Sequence, residues 1–211
     1  MSGVTNIAVL VSGGGTNLQA LIDAQHRGEI PGGKISLVVA SRPGVFALER
    51  AEKAGIPAVV IARKDYPDTD SFCAALIAKL REENVGLVIL AGFLSILNGD
   101  FIKAFENRII NVHPSLIPSF CGKGFYGLKV HEQALARGVK VTGATVHFVN
   151  EGADEGPIIL QKAVEIKDGD TPEILQKRVM EEAEWKLLPR AAALFCAERL
   201  EVEGRTVHIK D

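Results

Sequence analysis

The sequence predicts an α/β fold: a Rossmann-like, mostly parallel sheet with helices on both faces, and antiparallel strands in the C-terminal half. Short apolar runs alternate with segments of helical periodicity along most of the chain, which is typical of repeated βα units. The first apolar run leads through a glycine-rich turn, residues 12–17, into a helical pattern. A later apolar run ends at Pro114, which cannot donate a hydrogen bond to a sheet.

Periodicity and boundary residues place the individual elements. Thr171 supplies an N-cap and Pro172 a first-position proline for the last long helix, in which we expect a kink at Pro189. The predicted strands are 6–11, 34–40, 58–61, 87–91, 109–113, 140–150 and 158–166. The predicted helices are 18–26, 46–54, 68–83, 130–137 and 172 to about 200, and a terminal hairpin pairs 200–202 with 206–209.

Composition limits the class of protein. The chain has 211 residues, 47% of them hydrophobic and 24% charged, which predicts one folded domain rather than disorder. A net charge of -2 argues against a nucleic-acid or membrane partner and leaves small molecules. Three cysteines without metal-ligand spacing argue against a disulfide framework and a metal site. No signal peptide or spanning segment is visible, so we expect a cytoplasmic location.

The strand 109–113 delivers two polar side chains. Alternation places Asn111 and His113 on one face at its carboxyl end, where open α/β sheets bind their ligands. An amide beside an imidazole can stabilise a carbonyl oxygen that gains negative charge, as in acyl or formyl transfer. The alternative is a strand end with a structural asparagine and histidine.

The turn 12–17 has the composition of an anion site. The N–H groups of Gly15, Thr16 and Asn17 would face a phosphate at the start of the first helix. The dinucleotide pattern G-x-G-x-x-G fails at Leu18, and the Walker pattern is absent. A phosphoribosyl group is therefore favoured over NAD or ATP, and a plain capped turn is the alternative.

Three loops are further candidates for the site. Residues 92–97 are unusually apolar and would wall a pocket, or else form a buried connection. Residues 120–128 combine glycines with aromatic rings, as expected of a mobile loop over the site. An acidic turn holds Glu151, Asp154 and Glu155; one of these could orient His113 and raise its pKa, although spacing does not choose among them. Solvated turn acids are the alternative.

Taken together, four stretches resemble the phosphoribosylglycinamide formyltransferases, a branch of the folate-dependent formyltransferase family. They are Ser12–Asn17, Ala91–Leu94, the Asn-Val-His-Pro-Ser-Leu strand end at 111–116, and Gly143–Asp154. The resemblance spans nearly the whole chain. It implies formyl transfer from 10-formyltetrahydrofolate, as formyl-donor co-substrate, to the amine of glycinamide ribonucleotide, without a metal.

The resemblance also implies roles for individual residues. It divides one formyltransferase domain, 1–211, into a phosphate-binding half, about 1–100, and a catalytic and folate-binding half, about 101–211. The implied catalytic residues are Asn111, His113 and Asp154. The implied ribonucleotide contacts are Gly15, Thr16, Asn17 and Glu184. The implied folate contacts are Leu94, Ser95, Ile96, Leu97, Asn111, Asn150, Glu151, Gly152, Ala153 and Asp154.

The chain departs from the family pattern at three places. Ser95 stands where relatives usually carry an arginine, and a second folate-contacting arginine near Thr69 is missing. Arg63 and Lys64 are candidates to replace it. The loop 120–128 is longer than in many relatives.

Rival functions remain open at this point. A formyltetrahydrofolate deformylase would carry an additional N-terminal domain, and a methionyl-tRNA formyltransferase a basic C-terminal one; we expect neither here. A non-catalytic phosphoribosyl or folate-binding protein is the rival from another class. We expect a monomer or a homodimer, and the sequence does not choose between them.

Overall fold

The structure, a computed structural model, describes residues 3–210. These residues form two compact units, one ending at Ile110 and the other beginning at Asn111. No helix within residues 3–210 is long and apolar enough to cross a membrane.

The first unit is built on parallel strands, as predicted. They pair in the order β3-β2-β1-β4, and the side chains of Ile7 to Val11 in the central β1 are completely buried. Burial on both faces explains why these strands are continuous apolar runs. The strands are β1 (Thr5–Val11), β2 (Gly33–Ala40), β3 (Ala58–Val60) and β4 (Val85–Leu90). The helices are α1 (Thr16–His26), α2 (Phe46–Lys53), α3 (Thr69–Glu82) and α4 (Gly99–Ala104), with a 3-10 turn at Arg63–Asp65.

The second unit contains the predicted antiparallel strands. Strand β6 pairs antiparallel with β7, the terminal hairpin β8–β9 is antiparallel, and β7 pairs in parallel with β9. The strands are β6 (Val141–Phe148), β7 (Ile158–Glu165), β8 (Leu200–Glu203) and β9 (Thr206–Ile209). The helices are α5 (Leu128–Arg137), α6 (Pro172–Val179) and α7 (Trp185–Cys196). The boundary between the units falls inside β5 (Ile109–His113), a strand predicted with these bounds.

The last long helix differs from its prediction. Thr171 caps it as expected, but a π turn at Met180–Glu184 separates α6 from α7, and Pro189 lies inside α7. The ring of Pro189 crowds the carbonyl of Trp185, four residues earlier. The π turn ends at Glu184, directly before Trp185. The helix ends at Cys196 rather than near residue 200, because Glu198 adopts a positive φ of 55° and the Arg199 N–H binds Leu194 O.

Candidate active site

Strand β5 presents the two polar side chains that the sequence singled out. Asn111 and His113 alternate with apolar neighbours, and His113 is buried with 4% of its surface exposed. Pro114 follows and ends the strand. The predicted placement of both side chains on one face at the strand's carboxyl end therefore holds.

The two ring nitrogens of His113 have different partners. Nε2 lies 2.8 Å from the carbonyl oxygen of Phe120, and Nδ1 lies 3.5 Å from Oδ2 of Asp154. Two lone pairs would repel at 2.8 Å, so Nε2 carries a hydrogen and donates it to Phe120. Nδ1 is consequently the nitrogen that gains or loses a proton, and it does so facing a carboxylate.

Among the acids of the turn, Asp154 is the one that lies beside His113, whereas Glu151 and Glu155 are exposed. Its Oδ2 also accepts the Gly122 N–H at 2.9 Å. Burial acts to raise the pKa of Asp154, but His147, the charge of His113 and the Gly122 N–H together hold this pKa below its ordinary value. Asp154 is therefore a carboxylate at neutral pH.

The expected rise in the pKa of His113 is wrong in its net direction. Burial lowers the pKa of the ring, and this effect exceeds the upward effects of Asp154 and of the Phe120 carbonyl, while His147 lowers it further. Asp154 acts in the predicted sense, but taking an imidazolium out of water costs more than the carboxylate returns.

Sequence reasoning missed His147, which belongs to the same cluster. Its Nδ1 lies 2.8 Å from Phe148 O and donates to it, so Nε2 of the neutral ring accepts a hydrogen from Asn111 Nδ2 at 3.2 Å. Nε2 also lies 3.6 Å from Asp154 Oδ1. Alternation along β6 indicates that His147 shares a face with Thr145. It gives no sign of the contact with Asn111, because the two residues are 36 positions apart in sequence.

The glycine-rich aromatic loop reaches this cluster through its backbone. Phe120 supplies the carbonyl that binds His113, and Gly122 supplies the N–H that binds Asp154. The Phe120 ring packs edge-on against Phe125, with centroids 6.3 Å apart. Burial, with Asp154 and Glu155 nearby, raises the pKa of the Cys121 thiol, so this cysteine is not a reactive thiolate.

In the first unit, the glycine-rich turn leads directly into α1. Gly15 has a φ of 71°, and a Cβ at this position would lie 2.7 Å from Cβ of Ala47, so a larger residue is excluded. Helix α1 then begins at Thr16, followed by Asn17. The first turn of a helix presents N–H groups beyond its N-terminus, which is the geometry that binds phosphate.

Helix α2 supports this turn through a residue that the sequence analysis did not identify. Arg50 donates from Nε to Gly14 O at 2.8 Å and from Nη1 to Gln19 Oε1 at 2.9 Å. Its guanidinium also lies 4.8 Å from the centre of the Phe46 ring. Arg50 thus ties the turn to both helices and adds positive charge beside it.

The apolar segment 94–97 adjoins the same turn, since the Leu94 N–H donates to Ser12 Oγ at 2.9 Å. Leu94 and Ile96 are 64% and 79% exposed, whereas Ser95 and Leu97 are partly buried. The alternative of a buried connection does not hold for the two exposed side chains. Exposed apolar residues beside a polar turn fit the wall of a ligand pocket.

The remaining predicted site residues lie in the second unit. Glu184 is buried, with 6% of its surface exposed, at the end of the π turn. In the turn before Asp154, Asn150 Oδ1 accepts the Gly152 N–H at 3.1 Å, while Glu151 and Ala153 are exposed. No cluster of three or more potential metal ligands occurs within the described range 3–210.

Comparison with known proteins identifies relatives over most of the chain. The family model described as formyl transferase matches residues 5–192. The trifunctional purine biosynthetic protein adenosine-3 of Gallus gallus is 46% identical over 93% of this chain, which spans 19% of that protein. The chloroplastic phosphoribosylglycinamide formyltransferase of Arabidopsis thaliana is 39% identical over 92% of this chain and 66% of its own length. This chain thus spans about a fifth of the trifunctional relatives that it matches.

Two solved structures have the same fold. The crystal structure of glycinamide ribonucleotide transformylase 1 from Symbiobacterium toebii has a TM-score of 0.93 and 47% identity, covering 99% of this chain and 95% of its own. A formyltetrahydrofolate deformylase from Pseudomonas syringae pv. tomato has a TM-score of 0.87 and 26% identity, covering 98% of this chain and 66% of its own.

Proposed function

This chain belongs to the formyl transferase family, and on that premise we propose that it formylates glycinamide ribonucleotide, N1-(5-phospho-D-ribosyl)glycinamide. The formyl donor is 10-formyltetrahydrofolate, and the N2-formyl product serves purine biosynthesis. The observation that carries the proposal is the cluster of Asn111, His113 and Asp154, whose chemistry suits a tetrahedral oxyanion.

The reaction exchanges one carbon–nitrogen bond for another. The glycinamide amine attacks the formyl carbon, and the carbonyl electrons move onto oxygen to give a tetrahedral intermediate. Collapse of this intermediate breaks the bond to N10 of the folate, which leaves with a proton as tetrahydrofolate. The attacking nitrogen loses one proton to water.

Two donors face the developing oxyanion in this proposal. The amide nitrogen of Asn111 carries two hydrogens; one binds His147, and the other serves the oxyanion. The Nδ1 hydrogen of protonated His113 is the second donor, because Nδ1 lies 3.5 Å from Asp154 Oδ2 and Asp154 stabilises the imidazolium through its charge. Loss of one such donor typically raises the barrier by about 3 kcal/mol.

Substrate binding is assigned on the same premise. Gly15, Thr16 and Asn17 bind the phosphate, supported by the position of the turn at the start of α1, and Glu184 contacts the ribose. Leu94 to Leu97 contact the folate, which the exposed apolar side chains of Leu94 and Ile96 support. The turn 150–154 is likewise assigned to folate binding. We propose a cytoplasmic enzyme, in keeping with three free cysteines, that acts as a monomer or homodimer.

The proposal is tested by following consumption of 10-formyltetrahydrofolate by absorbance, with and without the ribonucleotide, in the wild type and His113→Ala. We expect turnover that requires the ribonucleotide and is abolished by the substitution. Turnover without the ribonucleotide would instead identify a deformylase. Binding without turnover in either mixture would identify a binding protein.

A further inference from the structure

The segment that joins His113 to Phe120 is held by a buried hydroxyl. Thr145 Oγ1 donates to Ser115 O at 2.7 Å and accepts the Ile117 N–H at 3.1 Å. Gln161 Nε2 donates to the same hydroxyl at 3.0 Å and also to Ile117 O at 3.0 Å. The Thr145 hydroxyl therefore makes one donated and two accepted hydrogen bonds, which is its full capacity.

A second hydroxyl closes the same segment. Ser115 Oγ donates to Ser119 O at 2.6 Å, and both Ser115 and Thr145 have no exposed surface. The segment also packs directly on the backbone of β6, since a Cβ at Gly143 would lie 2.9 Å from Leu116 Cδ2. Side-chain hydroxyls and close packing thus fix a turn that belongs to no helix or strand.

The turn ends at a residue with an unfavourable backbone conformation. Phe120 has a φ of 50°, which a bulky side chain rarely adopts, and its carbonyl lies 2.8 Å from His113 Nε2. Such a conformation persists only where surrounding contacts enforce it. The hydroxyl-bonded turn immediately before Phe120 supplies these contacts.

We propose that Thr145 is a positioning residue for formyl transfer, whose hydroxyl fixes the turn that brings the Phe120 carbonyl to His113 Nε2 and so keeps His113 Nδ1 directed at Asp154. The inference rests on the proposed function. It adds a residue whose hydroxyl binds Ser115, Ile117 and Gln161.

The arrangement has a consequence for the proton on His113. The ring interacts with Asp154 from the acidic turn, with His147 from β6 and with His131 from α5. The Phe120 carbonyl favours the protonated ring by accepting its Nε2 hydrogen. If the turn loosens, this support weakens, and His113 loses its proton at lower pH.

The test compares Thr145→Val, which removes the hydroxyl at nearly constant volume, with Thr145→Ser, which retains it. Thr142→Val is the matched control, because the buried Thr142 hydroxyl on the same strand has no hydrogen-bond partner among residues 3–210. We expect Thr145→Val to lower kcat by about tenfold. Both KM values should change little, and the alkaline limb of the kcat profile should move to lower pH. Thr145→Ser and Thr142→Val should resemble the wild type.

An unchanged kcat in Thr145→Val, or a lower kcat with an unmoved pH profile, would overturn the inference. If Thr145→Val does not fold, Ser115→Ala tests the same turn through its other hydroxyl, with the same expected and contradicting results. NMR titration of the His113 ring gives a readout without substrate, and its midpoint should move to lower pH in Thr145→Val. The two proposals can fail separately. If the His113 titration moves as expected in Thr145→Val but the wild type has no ribonucleotide-dependent turnover, the proposed function is refuted and the role of Thr145 in placing His113 stands.

Discussion

Asn111 and His147 form a directed pair: the amide nitrogen of Asn111 lies 3.2 Å from Nε2 of His147, whose other ring nitrogen is bound to the carbonyl of Phe148. The backbone bond fixes which nitrogen of His147 accepts, and this in turn fixes the orientation of the Asn111 amide. In the proposed reaction, His147 therefore acts by orienting the Asn111 amide.

Replacing His147 with phenylalanine should therefore lower kcat by about tenfold and leave both KM values nearly unchanged. The measurement is a double-mutant cycle with Asn111→Ala, in which the effect of His147→Phe should shrink because no amide remains to be oriented. His208→Phe, a substitution of an exposed histidine in the terminal hairpin, is the control. Fully additive effects of the two active-site substitutions would contradict the orientation of Asn111 by His147.

Removing the charge of Asp154 should move the pH profile in a defined direction. The carboxylate raises the pKa of His113 against the larger effect of burial, so Asp154→Asn should lower this pKa further. The protonated donor is then lost at lower pH, so the alkaline limb of the kcat profile should move to lower pH. Folate binding should be less affected than turnover. Glu155→Gln, a change in an exposed acid of the same turn that is assigned to neither substrate, should leave the profile unmoved. Equal turnover of Asp154→Asn and wild type near neutral pH would exclude the role assigned to Asp154.

The support that Arg50 gives to the glycine-rich turn predicts selective loss of ribonucleotide binding. Arg50→Gln removes the donor to Gly14 O, and KM for the ribonucleotide should rise by about tenfold, with KM for the folate unchanged. Arg27→Gln is the control, since Arg27 is an exposed arginine paired with Glu29. A substrate analogue that lacks the phosphate should bind equally to Arg50→Gln and wild type. A matching loss of affinity for this analogue would show that Arg50 does not act through the phosphate.

We expect His131 to make the stability of the protein pH-dependent. The ring is completely buried on α5, and no hydrogen-bond partner for either nitrogen occurs within residues 3–210. Burial, with a further contribution from His113, lowers the pKa of His131 from 6.5 to about 4. Below pH 6.5 the unfolded chain binds a proton that the folded chain does not. The free energy of unfolding should therefore fall by about 3 kcal/mol between pH 7 and pH 4 from this residue.

Urea unfolding of wild type and His131→Phe at pH 7, 6, 5 and about 4 measures this contribution. His113, whose pKa is also lowered, makes stability fall with pH in the same direction, and it is present in both proteins. The difference between the two plots of unfolding free energy against pH therefore measures the contribution of His131 alone. His208→Phe should retain the wild-type slope. Identical dependences of the free energy of unfolding on pH in His131→Phe and wild type would show that folding does not lower the pKa of His131.

The sequence predicts those structural features that depend on residues close together along the chain. The bounds of β5, the caps at the start of the last helix and the terminal hairpin follow from local periodicity, proline and turn residues. It does not distinguish Asp154 from Glu151 and Glu155, because that choice depends on which acid folds back onto a residue 41 positions earlier. Resemblance to a family supplied this assignment.

Other features depend on tertiary environment in ways that no local pattern records. The contact of His147 with Asn111 arises from the packing of β5 and β6 side chains. The net pKa shift of His113 depends on the extent of burial, and the role of Arg50 depends on α2 lying against the turn. The backbone carbonyl of Phe120 carries no sequence signal at all, since every residue has one.

The π turn at Met180–Glu184 bears on how relatives of this chain are aligned. A π turn holds one residue more than the α-helical turn that it replaces, and each residue advances a helix by about 100°. A relative whose helix is regular throughout must therefore lack one residue here if both flanking segments are to keep the same buried faces. The gap in such an alignment belongs inside the helix, between 180 and 184, and placing it in a neighbouring loop would shift Glu184 out of register with its counterpart.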